Sequence, residues 1–144
     1  MLTNPFTGQT IEFVEDTDEL LVMESSYKPG GAPAPAHFHP DQEETFTVLA
    51  GAVEVVVDGD PRTLREGDVL VIPAGTPHVM GGHATEPGTV RWETRPGLRT
   101  REFFERMFAA LEGNASPDAP GSQEAIAAFD FGDYTDVFRA APTE

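Results

Sequence analysis

Three histidines and one glutamate are the side chains of this sequence best placed to do chemistry together. His37 and His39 are two residues apart in a segment predicted to be a strand, so both imidazoles project from one face while Phe38 points away. Glu44 lies five residues past His39, at the start of the next predicted strand, and we prefer it to its neighbour Glu43 as a further ligand. Strand geometry therefore predicts that these side chains converge on one centre.

His78 supplies the third imidazole. It follows the corner Pro73-Ala74-Gly75-Thr76-Pro77, which is rigid enough to aim the side chain after it, whereas His83 lies in a Gly-rich loop and is predicted to be an ordinary loop residue. Imidazole and carboxylate donors suit iron, manganese, cobalt, nickel, copper or zinc, and three nitrogens with one oxygen leave positions open for water or substrate. We therefore predict one divalent metal ion in a catalytic type of site.

Strand alternation predicts the walls of a cavity beside this centre. If Glu44 points inward, so do Phe46 and Val48, and if His78 points inward, so does Met80. Because these walls are mostly apolar, we expect a small organic ligand that presents an oxygen to the metal. The sequence assigns no acid or base beyond the ligands, so the catalytic residues stay unknown at this stage.

Arg91 and Trp92 are neighbours on a late predicted strand, so one of them faces the interior. Arg91 inside would favour an anionic substrate, whereas Trp92 inside would favour a flat or apolar one. The sequence leaves this choice open, and Trp92 is included among the candidate pocket residues.

The elements that must position these side chains are predicted to be short strands. Apolar segments separated by Gly, Pro and Asp clusters are typical of an all-β protein; Asp58-Gly59 indicates a hairpin turn, and Gly51 and Gly67 mark two further corners. The predicted strands are Thr10–Val14, Leu20–Tyr27, Ala36–His39, Glu44–Leu49, Ala52–Val57, Arg62–Leu64, Val69–Ile72, His78–Met80 and Thr89–Thr94.

The pattern changes to that of a helix after the strands. Thr100–Glu112 carries an apolar stripe of helical spacing, and Gly113-Asn114 is a plausible C-terminal cap. We favour packing of this helix on the outside of the barrel over a role as a ligand lid or a dimer contact. The tail, residues 114–144, is predicted to fold back on the barrel or on a second subunit through its apolar residues, Ile126, Phe129, Phe131, Tyr134, Val137 and Phe138.

Composition limits the classes of function. The 144 residues fit a single domain, and the absence of cysteine excludes disulfides and thiolate ligands. A net charge of −16 disfavours nucleic acid and anionic membranes as partners, and no apolar run reaches the length of a membrane span. The N-terminus has no pattern of a signal peptide, so we expect a cytoplasmic protein.

Two ordered motifs resemble those of the cupin superfamily. The first is Gly31-(five residues)-His37-Phe38-His39-(four residues)-Glu44-(six residues)-Gly51. The second runs from Gly67 through the Pro/Gly corner to His78. One departure occurs at Gly82, where the second motif commonly ends in asparagine, and this puts the local turn in doubt but not the ligands.

This resemblance implies a double-stranded β-helix, the cupin jelly-roll barrel, in which His37, His39, Glu44 and His78 bind the metal from the interior. Similar small cupins include dioxygenases, isomerases, decarboxylases and cyclases of polyketide-like substrates. We therefore expect a metal-dependent oxygenase or a redox-neutral isomerase or cyclase. The alternative is a non-catalytic, metal-containing protein that binds or senses a small molecule. Cupins often form dimers, so we expect a homodimer.

Overall fold

The computed structural model describes residues 1–5, 7–30, 36–113 and 137–140. Within these residues the chain forms β-strands followed by one helix and a last short strand, which confirms the predicted all-β jelly roll with a C-terminal helix. The elements are β1 (Leu2–Thr3), β2 (Thr10–Asp16), β3 (Leu21–Tyr27), β4 (His37–Phe38), β5 (Glu43–Val57), β6 (Asp60–Arg65), β7 (Val69–Ile72), β8 (His78–Gly82), β9 (Gly88–Arg95), α1 (Thr100–Gly113) and β10 (Arg139–Ala140).

Strand β5 connects the two sheets of the barrel. Its first half pairs with β7 and β9, in the sheet that also holds β1, β2 and β3. Its second half pairs with β6 and β8, in the sheet that continues through β4 to β10. All of these pairings are antiparallel, so one long strand holds the two faces of the barrel together.

The sequence predicted two strands, Glu44–Leu49 and Ala52–Val57, with a corner at Gly51, and this was wrong. The chain continues as the single 15-residue strand β5. Gly51 has a φ of +70°, and a Cβ there would lie 1.9 Å from the carbonyl oxygen of Pro87. Gly51 therefore allows neighbouring backbone segments to approach closely, and it does not reverse the direction of the chain.

A register shift between Val48 and Ala50 changes which residues of β5 face inward. Before the shift the even-numbered Glu44 and Phe46 are buried with Val48, whereas after it Val53 and Val55 are buried. A β-bulge produces this change because it adds one residue to a two-residue repeat. The first half of β5 can therefore face the candidate site while the second half still faces the core.

The core combines strand and helix residues. Side chains from both sheets meet the apolar face of α1 in one cluster, which includes Leu21, Met23, Phe46, Val53, Val55, Ile72, Val90, Trp92, Phe103, Phe104, Met107, Phe108 and Leu111. Helix α1 begins at Thr100 as predicted. In the described part of the chain, no helix has the length and apolar character that crossing a bilayer requires.

The two end strands were not predicted, because each has only two residues and no alternating pattern. Strand β1 pairs with β2, and β10 pairs with β4, so residues 139–140 return to the barrel. Val137 and Phe138 are buried, as the predicted folding back of the tail requires. The other four apolar tail residues and Asn114 lie outside the described residues.

Candidate metal centre

Two strands of one sheet bring the three predicted histidines together. His37 on β4 is the direct cross-strand partner of His78 on β8, and His39 follows immediately after β4. One ligand atom from each of the three imidazoles can be chosen so that all lie within 4.8 Å of one another. The amide of Gly75, in the Pro/Gly corner, donates a 2.8 Å hydrogen bond to the carbonyl of His39, which ties the corner to the first ligand segment.

Glu44 reaches the same centre from β5. Its side chain is 1% exposed, whereas the neighbouring Glu43 is exposed to solvent. The Oε1 atom of Glu44 lies in direct contact with Nε2 of His39 and 3.0 Å from Nε2 of His78. Its Oε2 atom accepts a hydrogen bond from the indole of Trp92. One carboxylate oxygen is therefore held by the barrel and the other faces the imidazoles.

Backbone carbonyls orient two of the imidazole rings. Nδ1 of His78 is 2.9 Å from the carbonyl oxygen of Thr76, and Nδ1 of His39 is hydrogen-bonded to the carbonyl of Val137. Because a carbonyl can only accept, Nδ1 carries the proton in both rings, and a neutral ring then presents the lone pair of Nε2 to the centre.

Three buried atoms at this centre indicate what it can hold. When both rings are neutral, Nε2 of His39, Nε2 of His78 and Oε1 of Glu44 are buried acceptors that face one another, and none of them has a hydrogen-bond donor among the described residues. Such atoms are costly to bury without a compensating group. Two imidazole nitrogens and a carboxylate oxygen form a donor set of the kind that divalent transition metals prefer, so the residues fit a metal ion.

The charges at the centre are strongly coupled. Burial alone would raise the pKa of Glu44, but the adjacent imidazoles of His39 and His78 outweigh it and hold that pKa far below its usual range. Burial alone would lower the pKa of His39, but the Glu44 carboxylate and the Val137 carbonyl raise it by more. The centre therefore keeps an anionic carboxylate that favours a cation.

Gln42 anchors the loop between β4 and β5, which carries the candidate ligand His39. It is 1% exposed, and its Nε2 lies 2.8 Å from the carbonyl of Pro96, 3.0 Å from that of Gly97 and 2.8 Å from the hydroxyl of Thr100. These contacts join the loop to the start of α1. A lone glutamine in a loop gives no sequence signal of such a role, and the prediction missed it.

A cavity of about 70 Å³ adjoins the histidines. Of the predicted wall residues, Phe46, Met80 and Trp92 line it, whereas Val48 is buried in the core beside the bulge and does not appear in the described lining. Trp92, not Arg91, faces the interior. The full described lining comprises Asn4, Gln9, Tyr27, His37, Phe46, His78, Met80, Trp92, Phe104, Met107, Phe108, Leu111 and Phe138.

Helix α1 forms one wall of this cavity through Phe104, Met107, Phe108 and Leu111. The stripe packs against the barrel, in line with the interpretation that we favoured, and it also lines the cavity, which the sequence did not predict. An amphipathic stripe shows that a helix face is buried but not what it is buried against. In this chain the stripe meets aromatic wall residues of the barrel, with the rings of Trp92 and Phe104 5.1 Å apart in an edge-to-face arrangement.

Besides His37 and His78, the cavity is lined by the polar residues Asn4, Gln9 and Tyr27, none of which the sequence singled out. Gln9 donates a 3.1 Å hydrogen bond to Ser25, a residue that also interacts with the Tyr27 hydroxyl. Burial raises the pKa of Tyr27 to about 12, and the charge of Glu44 contributes to the increase. Tyr27 is therefore a neutral hydrogen-bond donor at neutral pH. The sequence did contain a signal for Tyr27, because on β3 it lies on the same face as the residues that the two-residue repeat buries.

The departure from the motif at Gly82 has a steric cause. A Cβ at this position would lie 2.3 Å from the carbonyl oxygen of Lys28, so asparagine does not fit without a backbone shift. His83, next along the chain, accepts hydrogen bonds at Nδ1 from the amides of Thr85 and Glu86 at 3.1 and 3.2 Å. It is a loop residue outside the described cavity lining, as predicted.

A family model described as "Cupin domain" matches residues 23–92. With the two motifs and the barrel described above, this match supports membership of the cupin superfamily. The structure of KdgF from Halomonas sp. is similar in fold, with a TM-score of 0.56 and 27% identity over 62% of this chain and 81% of that one. The polyketide cyclase RemF from Streptomyces resistomycificus shares the fold, with a TM-score of 0.55, 22% identity and coverage of 60% of this chain and 64% of that one.

Two curated relatives are enzymes. Quercetin 2,3-dioxygenase of Bacillus subtilis is 46% identical over 122 residues, which are 83% of this chain and 35% of that protein. The dimethylsulfoniopropionate lyase DddQ of Ruegeria pomeroyi is 43% identical over 72 residues, which are 49% of this chain and 34% of that protein. The chain thus spans about a third of the length of these relatives.

Proposed function

We propose that this protein is a metal-dependent cupin enzyme that acts as a dioxygenase on a small, largely apolar organic molecule. His37, His39, Glu44 and His78 would hold one divalent ion. The observation that carries the proposal is a set of three buried atoms, on His39, His78 and Glu44, that have no hydrogen-bond donor among the described residues and lie beside a cavity with aromatic walls. When bound, the ion supplies Lewis acidity and, if it is redox-active, reactivity towards O₂.

The walls of the cavity define the class of substrate. Phe46 and Trp92 from the barrel face Phe104 from α1, with the Phe46 and Trp92 rings 5.3 Å apart. Such walls bind a flat, apolar body and exclude water from it. A metal ion held by the histidines would bind an oxygen of the substrate, and Tyr27 would donate a hydrogen bond to a second polar group. We therefore expect a small aromatic or dicarbonyl compound without a formal charge.

The similarity to quercetin 2,3-dioxygenase over most of this chain supports the choice of a dioxygenase. A redox-neutral isomerase or cyclase is the second candidate, and Tyr27 is the observation that favours it. With a pKa raised to about 12, the Tyr27 hydroxyl keeps its proton at neutral pH and would polarise a substrate oxygen by donating a hydrogen bond to it. The two candidates differ in whether O₂ is consumed.

Metal content and O₂ uptake test the proposal together. Protein prepared without a polyhistidine tag would be loaded in turn with iron, manganese, cobalt, nickel, copper and zinc, and bound metal would be measured by elemental analysis. O₂ uptake would then be followed with a panel of small aromatic and dicarbonyl compounds. We expect one equivalent of metal and uptake with at least one redox-active metal. Turnover without uptake would favour the isomerase or cyclase, and binding without turnover would favour a sensor.

The histidine variants provide the matched comparison. His78→Ala should lose the metal, whereas His83→Ala, which alters a loop histidine outside the described cavity lining, should retain one equivalent. Full metal occupancy in both His78→Ala and His37→Ala would contradict the proposed site.

A further inference from the structure

The described end of the chain, residues 137–140, contacts the ligand segment directly. Strand β10 pairs with β4 in the register Arg139↔Phe38 and Ala140↔His37. On its other side β4 is bridged to β8 by the pair His37↔His78. Because β4 has only two residues, β10 provides one of the two neighbours that fix the backbone of His37.

Val137 contributes through its backbone. Its carbonyl is hydrogen-bonded to Nδ1 of His39, and the residue is 1% exposed, so this contact is shielded from water. A carbonyl at Nδ1 fixes both the ring orientation and the tautomer that leaves Nε2 as a donor atom. Segment 137–140 therefore sets the geometry of His39.

Phe138 contributes through its ring. It stacks on the imidazole of His37 with a centroid distance of 4.4 Å and an angle of 21°. It also stacks on Phe103 of α1, with a centroid distance of 4.8 Å and an angle of 25°. Phe138 thus packs against both a ligand histidine and the helix that forms a cavity wall.

From these three contacts we infer that segment 137–140 completes the metal site, with Val137 and Phe138 as positioning residues for His39 and His37. The inference rests on the proposed metal-binding function. Docking of the segment orients two ligands, so it raises the affinity for metal. Linkage then requires that bound metal stabilise the docked segment by the same factor.

The test uses the full chain and two matched substitutions. Phe138→Leu keeps an apolar side chain but removes the ring that stacks on His37, and Phe108→Leu makes the same change at a buried ring of α1 that also lines the cavity. Co²⁺ affinity would be measured by calorimetry, and the Co²⁺ absorption spectrum would report the ligand geometry. We expect Phe138→Leu to weaken Co²⁺ binding by about 10- to 100-fold, as loss of a ligand-orienting contact typically does, and Phe108→Leu to change it by less than about threefold.

Hydrogen exchange provides the second measurement. The amides of residues 139 and 140 in the unmodified protein should exchange more slowly when Co²⁺ is bound. Equal Co²⁺ affinity in Phe138→Leu and Phe108→Leu, together with exchange that Co²⁺ does not alter, would overturn the inference while leaving the metal site intact. Failure of the unmodified protein to bind any of the tested metals would overturn the proposed function and this inference with it.

Discussion

The two halves of strand β5 have the same pairing but different roles. Each half is hydrogen-bonded to strands on both sides, and each buries alternate side chains. The first half buries Glu44 and Phe46 at the candidate metal centre and the cavity, whereas the second half buries Val53 and Val55 in the core. The comparison shows that one buried carboxylate, supported by two imidazoles and an indole, is enough to turn a structural strand face into a candidate site.

Within strand β5, the largest effect is expected from removing the charge of that carboxylate. Glu44→Gln keeps the shape of the side chain but lowers the electron-donating power of Oε1, so metal affinity should fall by roughly 100-fold or more. Its neighbour offers a control, because Glu43→Gln makes the same change on the exposed face of β5 and should leave affinity within about threefold. Metal titration of both variants measures the difference. Equal losses of metal affinity would mean that the buried position of the Glu44 carboxylate does not matter for metal binding.

The next largest effect is expected on stability, from a substitution at Gly51 between the two halves of β5. Gly51→Ala forces a Cβ into the carbonyl of Pro87 at a residue with positive φ, so unfolding free energy should decrease by about 3 kcal/mol or more. Gly59→Ala is the control, because Gly59 also has a positive φ but a Cβ there meets nothing within 4 Å. Urea unfolding should show a smaller loss for Gly59→Ala, and the reverse order would refute the close-approach explanation.

The second half of β5 should affect stability without affecting metal binding. Val55→Ala removes two buried methyl groups from the core, so unfolding free energy should decrease by about 2 kcal/mol. Metal affinity should remain within about threefold of the unmodified value, because Val55 lies beyond the bulge and outside the described cavity lining. A large loss of affinity would show that the two halves are not independent.

The smallest effect concerns pH. Because the pKa of His39 is raised, its protonation stabilises the metal-free folded protein. This contribution is complete below the ordinary pKa of 6.5 and is lost as pH rises through the raised pKa. Because the pKa of Glu44 is lowered, its ionised carboxylate also stabilises the folded protein. This contribution is complete above the ordinary pKa of 4.5 and is lost as pH falls through the lowered pKa. Metal competes with the proton on His39, so the increase in Tm on metal addition should grow between about pH 6 and about pH 8. If the increase in Tm on metal addition stayed constant or became smaller over this pH range, the competition between the metal and the proton on His39 would be contradicted.

Local rules predicted a large part of the fold and the convergence of the candidate ligands. His37 and His39 share a face because a strand has a two-residue repeat, and Phe46, Met80 and Trp92 reach the cavity for the same reason. Gly51 misled the prediction because positive φ is common to corners and to close approaches between strands.

The remaining features depend on contacts between distant parts of the chain. The contribution of Val137 is a backbone carbonyl, which any residue carries, so no side-chain pattern could indicate it. The stripe on α1 predicted a buried face but not the cavity it covers. Gln42 is separated by more than fifty residues from the groups it contacts at the start of α1, and only the folded chain brings them together.

The most direct test of the central claim is the coordination shell of the bound metal. X-ray absorption of the cobalt-loaded protein should show three imidazole nitrogens, with the remaining ligands oxygen. The same spectrum for His78→Ala should lose one imidazole or all of the metal, while that of His83→Ala should be unchanged. A shell with no imidazole, or a spectrum that His78→Ala leaves unaltered, would place the metal elsewhere and contradict the account.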